Sequence, residues 1–271
     1  MELDTLSKLR SKIDAIDDKI IKLLKERMDI VKQVGEFKKE TSASQSFIRA
    51  GREASMLRDL TRKAGDVFPP QAIATIWRMI ISTSLCVEQE ISVYTCDDKD
   101  NSCYWHAREY FGNFLQIYPK LQAGEVIAAV AKNPSAVGVL PLLDNSQNPW
   151  WVRPKIEENN IYVFARIPFI WEDSPLFTPA LAIANTSPEP TQDDASLFSI
   201  TTTAGEKNLQ EIFQRNRLES QIISRSGKNN FLVEVNCFVP IGNKIGKEIE
   251  HLLGQGSVVR LMGSYAMPIK T

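Results

Sequence analysis

Histidine is almost missing from this chain: His106 and His251 are the only two in 271 residues. Cysteine is scarce as well, with Cys86, Cys96, Cys103 and Cys237 at irregular spacing. Cys96 and Cys103 stand too far apart for a CxxC knuckle, so a zinc site is not expected, and nothing in the sequence calls for a cofactor. Neither sign of charge dominates. Lys and Arg number 32 against 33 Asp and Glu, a net charge of -1 that argues against a nucleic-acid partner. No apolar run approaches the roughly 20 residues of a membrane span. The opening MELDTLSKLRSK is charged and lacks the apolar stretch of a signal peptide. A soluble cytoplasmic protein is therefore expected, long enough for two or three small domains.

Proline is absent from the first 40 residues, and Gly35 is the only glycine there. Apolar residues recur in steps of three and four from Leu6 through Ile13, Ile20, Leu24 and Val31 to Phe37, the spacing of one long helix over about 3–40. Such a helix is roughly 57 Å long, more than a small domain can cover, so its apolar face calls for a second copy of the chain. The polar TSASQSF ends it. A short helix over about 50–63 and a third over about 71–90 follow, separated by a loop with Gly65 and Pro69-Pro70.

At Ile91 the pattern changes to strands: ISVYTC, then residues 136–143, IYVFARIPF and ALAIAN, with a short helix over 105–111. The segment SPEPTQDDAS reads as a linker. Beyond it the order is strand, helix, strand, strand, helix, strand, the ferredoxin-like sequence of elements. The expected organisation is multidomain: an all-α domain over 1–90, an α/β lobe over 91–187 and an α+β domain over 195–271.

The cations Arg27 and Lys38 lie 11 residues apart, three turns with about 20° of drift, so they share one helix face. Arg10 is roughly 25 Å further along and turned away by about 100°, out of reach of the same pocket within one chain but not from a partner's helix. Seven further lysines on the same helix make a plain solvated face the competing reading.

Residues 1–90 resemble the all-helical chorismate mutases, through LxxLRxKIDxID, LLKERMDIVKQVGEFK, REASML and IWRMIISTSL. The resemblance implies an intertwined homodimer that rearranges chorismate to prephenate. It implies that the substrate dianion is held by Arg27, Lys38, Arg52 and the partner subunit's Arg10. By the same resemblance Glu53 takes the substrate hydroxyl, and Ser84 and Glu88 complete the pocket from the third helix. Two departures stand out. Arg49 occupies the place of an acid, and Glu88 that of a glutamine which donates to the ether oxygen. A charged Glu88 would repel the developing oxyanion, so the expectation is a neutral Glu88 and activity that falls as pH rises.

The remainder resembles a prephenate dehydratase lobe (ISVYTC, WHAREYF, AVGVLPLLDN) and an ACT-type aromatic amino acid domain (NRLESQII, VRLMGSYAMPI). Glu219 and Ser220 then match a regulatory ligand motif, with phenylalanine as a candidate effector. Only about 45 residues separate Asp144 from the linker, too few for a second lobe, and the catalytic Thr-Arg-Phe stretch is replaced by Phe177-Thr178-Pro179. No dehydratase activity is expected. An isochorismate-pyruvate lyase and a non-catalytic sensor of chorismate or an aromatic amino acid remain open. His106, without a paired acid, and Trp150-Trp151 read as structural.

Overall fold

The first helix carries its apolar stripe well beyond the rest of the bundle. In the computed structural model, which describes residues 2–40, 48–96, 101–120, 122–144, 146, 148–152, 156, 159–171 and 178–270, α1 runs over Glu2–Glu40. Its second half packs on α3 (Pro70–Glu88), and α2 (Ala50–Ala64) packs on α3 as well. Pro70 opens α3, where a missing N–H costs nothing. Gly35 is the one buried residue of α1 among those whose burial is described, and it faces Glu88. The expected break at 41–47 lies outside the described residues.

The strands are β1 (Ser92–Cys96), β2 (Ile117–Lys120), β3 (Ala136–Pro141), β4 (Tyr162–Ile167), β5 (Ile170–Trp171), β6 (Ala180–Ala184), β7 (Asp194–Thr201), β8 (Ser220–Ser226), β9 (Asn230–Val235), β10 (Val258–Ala266) and β11 (Ile269–Lys270). Between them lie α4 (Ser102–Phe111), α5 (Ala123–Lys132), α6 (Gly205–Arg215) and α7 (Ile245–Leu253). The strands β2, β5 and β11 and the helix α5 go beyond the elements expected from sequence. The α5 helix starts with a capping box between Gln122 and Glu125, a signal present in the sequence.

Nine strands form one sheet in the order β2-β1-β3-β6-β4-β10-β7-β9-β8. The stretch β10-β7-β9-β8 is the ferredoxin-like order, with α6 and α7 on one face over Phe198, Phe213 and Ile249. The α/β part supplies the other five strands, and a core around Val93, Val139 and Trp151 fills the space to α3, α4 and α5. The two regions expected as separate units thus share a sheet. They join where Gly263 of β10 pairs with Val163 of β4. Gly263 has φ +143, and a Cβ there would strike the Val163 backbone, so only glycine lets these strands meet. A buried network closes the same seam: Arg166 donates to Glu234 at 3.2 Å, and Tyr265 donates to the same carboxylate oxygen. Burial first, then Glu234, pushes the Tyr265 hydroxyl well above its ordinary pKa.

The helical bundle is docked on this sheet. Ala54 and Leu57 of α2 pack with Phe169, Ile170 and Ala266. Arg58 fixes the contact by donating to the carbonyls of Asp193 and Met267 and to the Thr191 hydroxyl. Trp150 and Trp151 are buried, and the Trp150 ring N–H donates to the Pro141 carbonyl at 2.9 Å, a structural role. No helix among the described residues is long and apolar enough to cross a membrane.

Candidate functional site

Where the second half of α1 crosses the end of α3, four of the expected residues meet in two pairs. Arg27 donates from Nη1 to Ser84 Oγ at 2.5 Å, and Ser84 in turn donates to the Ile80 carbonyl. Three turns further along α1, Lys38 Nζ lies 3.2 Å from Glu88 Oε2, with the two side chains 15% and 11% exposed. The two pairs follow the same order along both helices, Arg27 before Lys38 on α1 and Ser84 before Glu88 on α3. Gly35 lies between them on α1, where an added Cβ would meet Glu88 Cγ at 3.5 Å, an ordinary van der Waals contact.

Arg52 of α2 completes the cluster. It is exposed, and its charge acts on Arg27. Burial is the largest cause lowering the Arg27 pKa, Arg52 adds to it and Glu88 opposes it. Two guanidinium groups and an ammonium gathered where α1, α2 and α3 meet have the chemistry to hold a small polyanion. The site contains no nucleophile with a base beside it, and no group of metal-ligating side chains occurs among the described residues.

Glu88 presents its carboxylate to the Lys38 ammonium. Glu53 turns elsewhere. One residue on from Arg52, it lies about 100° around α2 and points into the bundle. There it accepts from Arg78 Nη1 at 2.7 Å, with side chains 10% and 7% exposed. The Arg78 guanidinium stacks on the Tyr110 ring at 3.7 Å. Burial, opposed by Arg78 and aided by Glu53, pushes Tyr110 up to about 12. Glu53→Gln keeps the shape but removes the charge, and should cost about 1–3 kcal/mol, read as a lower urea midpoint with unchanged slope. An unchanged midpoint would remove this pair from the stability of the bundle.

Arg10 stays apart from the cluster, exposed on the distal half of α1. Glu219 is exposed and Ser220 half-buried at the start of the edge strand β8, where the Glu219 carbonyl accepts from Asn236. Thr178 is half-buried, and its carbonyl lies 2.9 Å from His106 Nε2, which gives that buried histidine a structural partner. Phe177 lies outside the described residues. Sequence reasoning missed Arg78 as the partner of Glu53 and Glu189 as that of Arg49, to which Arg49 donates from Nε and Nη2 at 3.1 and 2.9 Å. Arg78 sat in the IWRMIISTSL motif but carried no signal of its own.

Residues 9–89 match the family model for chorismate mutase type II. A bifunctional chorismate mutase/prephenate dehydratase from Aquifex aeolicus (strain VF5) is 32% identical over 142 residues, which is 52% of this chain and 39% of that protein. A protein of the same description from Pseudomonas aeruginosa is 27% identical over 147 residues, 53% of this chain and 40% of the relative. The chain thus spans about two fifths of the length of these curated relatives. Among solved structures, the prephenate dehydratase from Staphylococcus aureus subsp. aureus Mu50 aligns with a TM-score of 0.42 and 16% identity, over 66% of this chain and 99% of that one.

Proposed function

We propose that this chain, whose residues 9–89 match the chorismate mutase type II family, rearranges chorismate to prephenate at the cluster between α1, α2 and α3. The observation that carries the reading is the pairing of Arg27 with Ser84 and of Lys38 with Glu88 across α1 and α3, with the Arg52 charge acting on Arg27. The reaction is unimolecular: one C–O bond breaks as one C–C bond forms, with no proton transferred. The protein needs only to hold the extended diacid in its compact shape and to stabilise charge on the ether oxygen. Arg27 and Arg52 suit the two carboxylates. Lys38, whose ammonium is set in place by Glu88, suits the ether oxygen as a compact point charge.

Arg10 completes the site from a second copy. Leu9, Ile13, Ile16 and Ile20 on the distal half of α1 are 49–57% exposed, an apolar stripe that a partner's helices would cover. The α/β part acts without dehydratase chemistry, because its short span between Asp144 and the linker provides no second wall for a cleft.

The pairing of Glu88 with Lys38 sets up a second prediction. In Glu88→Gln the side chain still accepts from Lys38 and gains an N–H for the ether oxygen, while a repelling charge is removed. Its kcat for chorismate should match or exceed that of the native chain. A drop of about tenfold would mean that the charge of Glu88 is needed to hold Lys38.

The overall reading is tested by following chorismate consumption while prephenate and phenylpyruvate are quantified. Prephenate alone supports it, and phenylpyruvate would restore a dehydratase. Pyruvate released from isochorismate would make the chain a lyase. Thermal stabilisation by chorismate without turnover would make it a sensor.

A further inference from the structure

The stretch SPEPTQDDAS, residues 187–196, reads in the sequence as a linker, yet α2 is seated on it. We propose that Gly51 and Arg58 of α2 are positioning residues for chorismate binding. With Glu189 and Thr191 of the linker stretch they set the place and the roll of the helix that presents Arg52. This role rests on the mutase reading and deepens it, since it assigns part of a site built from residues 1–90 to a segment far beyond them in sequence.

Seven residues apart, Gly51 and Arg58 differ by only about 20° around α2 and so mark one face of it. Gly51 is buried against Glu189. An added Cβ would lie 2.7 Å from the Glu189 carbonyl oxygen and 3.1 Å from its Cβ, so helix backbone rests directly on linker backbone. Two turns along, Arg58 donates from Nη1 to the Thr191 hydroxyl at 3.0 Å. From Nη2 it donates to the carbonyls of Asp193 and Met267 at 2.9 and 2.8 Å. A planar guanidinium whose acceptors lie in fixed directions holds both the height and the rotation of a helix. Arg49 adds an ion pair with Glu189 at the start of α2, but the two side chains are 39% and 38% exposed, and a pair so open to water contributes little. The seat is therefore Gly51 and Arg58 rather than the ion pair.

The linker stretch is itself held. Thr191 donates to the Asp194 carboxylate from its N–H at 2.7 Å and from its hydroxyl at 2.6 Å, and Asp194 is buried at the start of β7. The seat of α2 is thus tied to the large sheet. Arg52 lies about 100° around the helix from Gly51, so any roll on this seat swings it sideways relative to Arg27. A roll of about 10° moves a group at the ~6 Å outer radius of a helix by about 1 Å. A misplacement of that size is enough to spoil a fitted contact.

The test compares chorismate kinetics and amide hydrogen exchange in the full chain carrying Gly51→Ala, Arg58→Gln, Arg58→Lys or Thr191→Val. Gly51→Ala and Arg58→Gln should raise KM about tenfold while kcat changes less than about threefold, because a carboxylate clamp acts on substrate and transition state alike. Thr191→Val keeps its shape and lies outside the bundle, and it should raise KM about threefold even if a change within α2 prevents folding. Arg58→Lys still reaches a carbonyl and should recover part of the Arg58→Gln loss. In Gly51→Ala and Arg58→Gln the amides of residues 54–58 should exchange at least about fivefold faster, with those of residues 81–85 in α3 unchanged. A contact that only stabilises would lower the urea midpoint and leave KM of the folded chain as it was; that result overturns the proposal, as does exchange that rises equally in α2 and α3. Turnover by the native chain with KM unmoved in the variants overturns this role alone. No turnover by the native chain overturns the mutase reading and this role with it.

Discussion

Lys38→Ala is expected to lower kcat/KM for chorismate by about 10²- to 10³-fold, the usual loss when one donor to a developing oxyanion is removed. The loss should fall mainly on kcat, because the ether oxygen gains charge only as its bond breaks, while Arg27 and Arg52 continue to bind the carboxylates. Lys38→Arg should recover only part of the rate. It restores the charge, but a planar guanidinium cannot reproduce a point donor at the same atom. Circular dichroism and urea unfolding check that the helices survive the loss of the Lys38–Glu88 pair. A fall of less than about threefold would place the ether oxygen's donor elsewhere.

Mixing two inactive variants should produce an active protein. If the partner's Arg10 completes each site, Arg10→Ala and Lys38→Ala are each defective in both sites of their homodimers. A mixed dimer has one site lacking both residues and one site lacking neither. Random reassortment after joint unfolding and refolding makes half of the dimers mixed, so about a quarter of native activity should return. Were Arg10 to serve its own chain's pocket, every site in the mixture would lack one residue and nothing would return. The physical basis is the apolar stripe on α1, where Leu23 and Ile30 remain 62% and 61% exposed within one chain. Ile16→Asp places a charge in that stripe and should yield a monomer with activity near background, read by gel filtration and by the same assay.

The sequence made the long helix legible because periodicity is local: eleven apolar positions from Leu6 to Phe37 report one face without knowledge of anything else. Arg27 and Lys38 were legible for the same reason, since helical geometry alone puts them on one side. The strand-helix-strand order after the linker was readable too, and its spatial order follows from packing rules. Partners at long range were hidden. Arg49 looked like a defect in a motif until the fold brought Glu189 to it across 140 residues. Glu53 was read from the resemblance alone, and its pairing with Arg78, 25 residues away, carried no signal in the sequence. The joining of two sheets was unreadable for a further reason. It depends on one close backbone approach at Gly263, and a glycine inside a strand has several meanings in sequence.

The placement of β10 has a consequence for how the protein is made. It follows every other strand of the large sheet in sequence, yet it lies inside that sheet, between β4 and β7. A ribosome releases it only after both neighbours have emerged. Until then the nascent chain carries two unpaired edges, at β4 and β7, each a template for pairing with another chain. Burial of Arg166 and Glu234 waits on the same event, since the Tyr265 hydroxyl that joins them arrives with β10. The helices of the first 90 residues can form while this happens, because their contacts are local. Synthesis thus delivers a helical bundle early and a central strand late, and the window between them is when this chain is most exposed to misassembly.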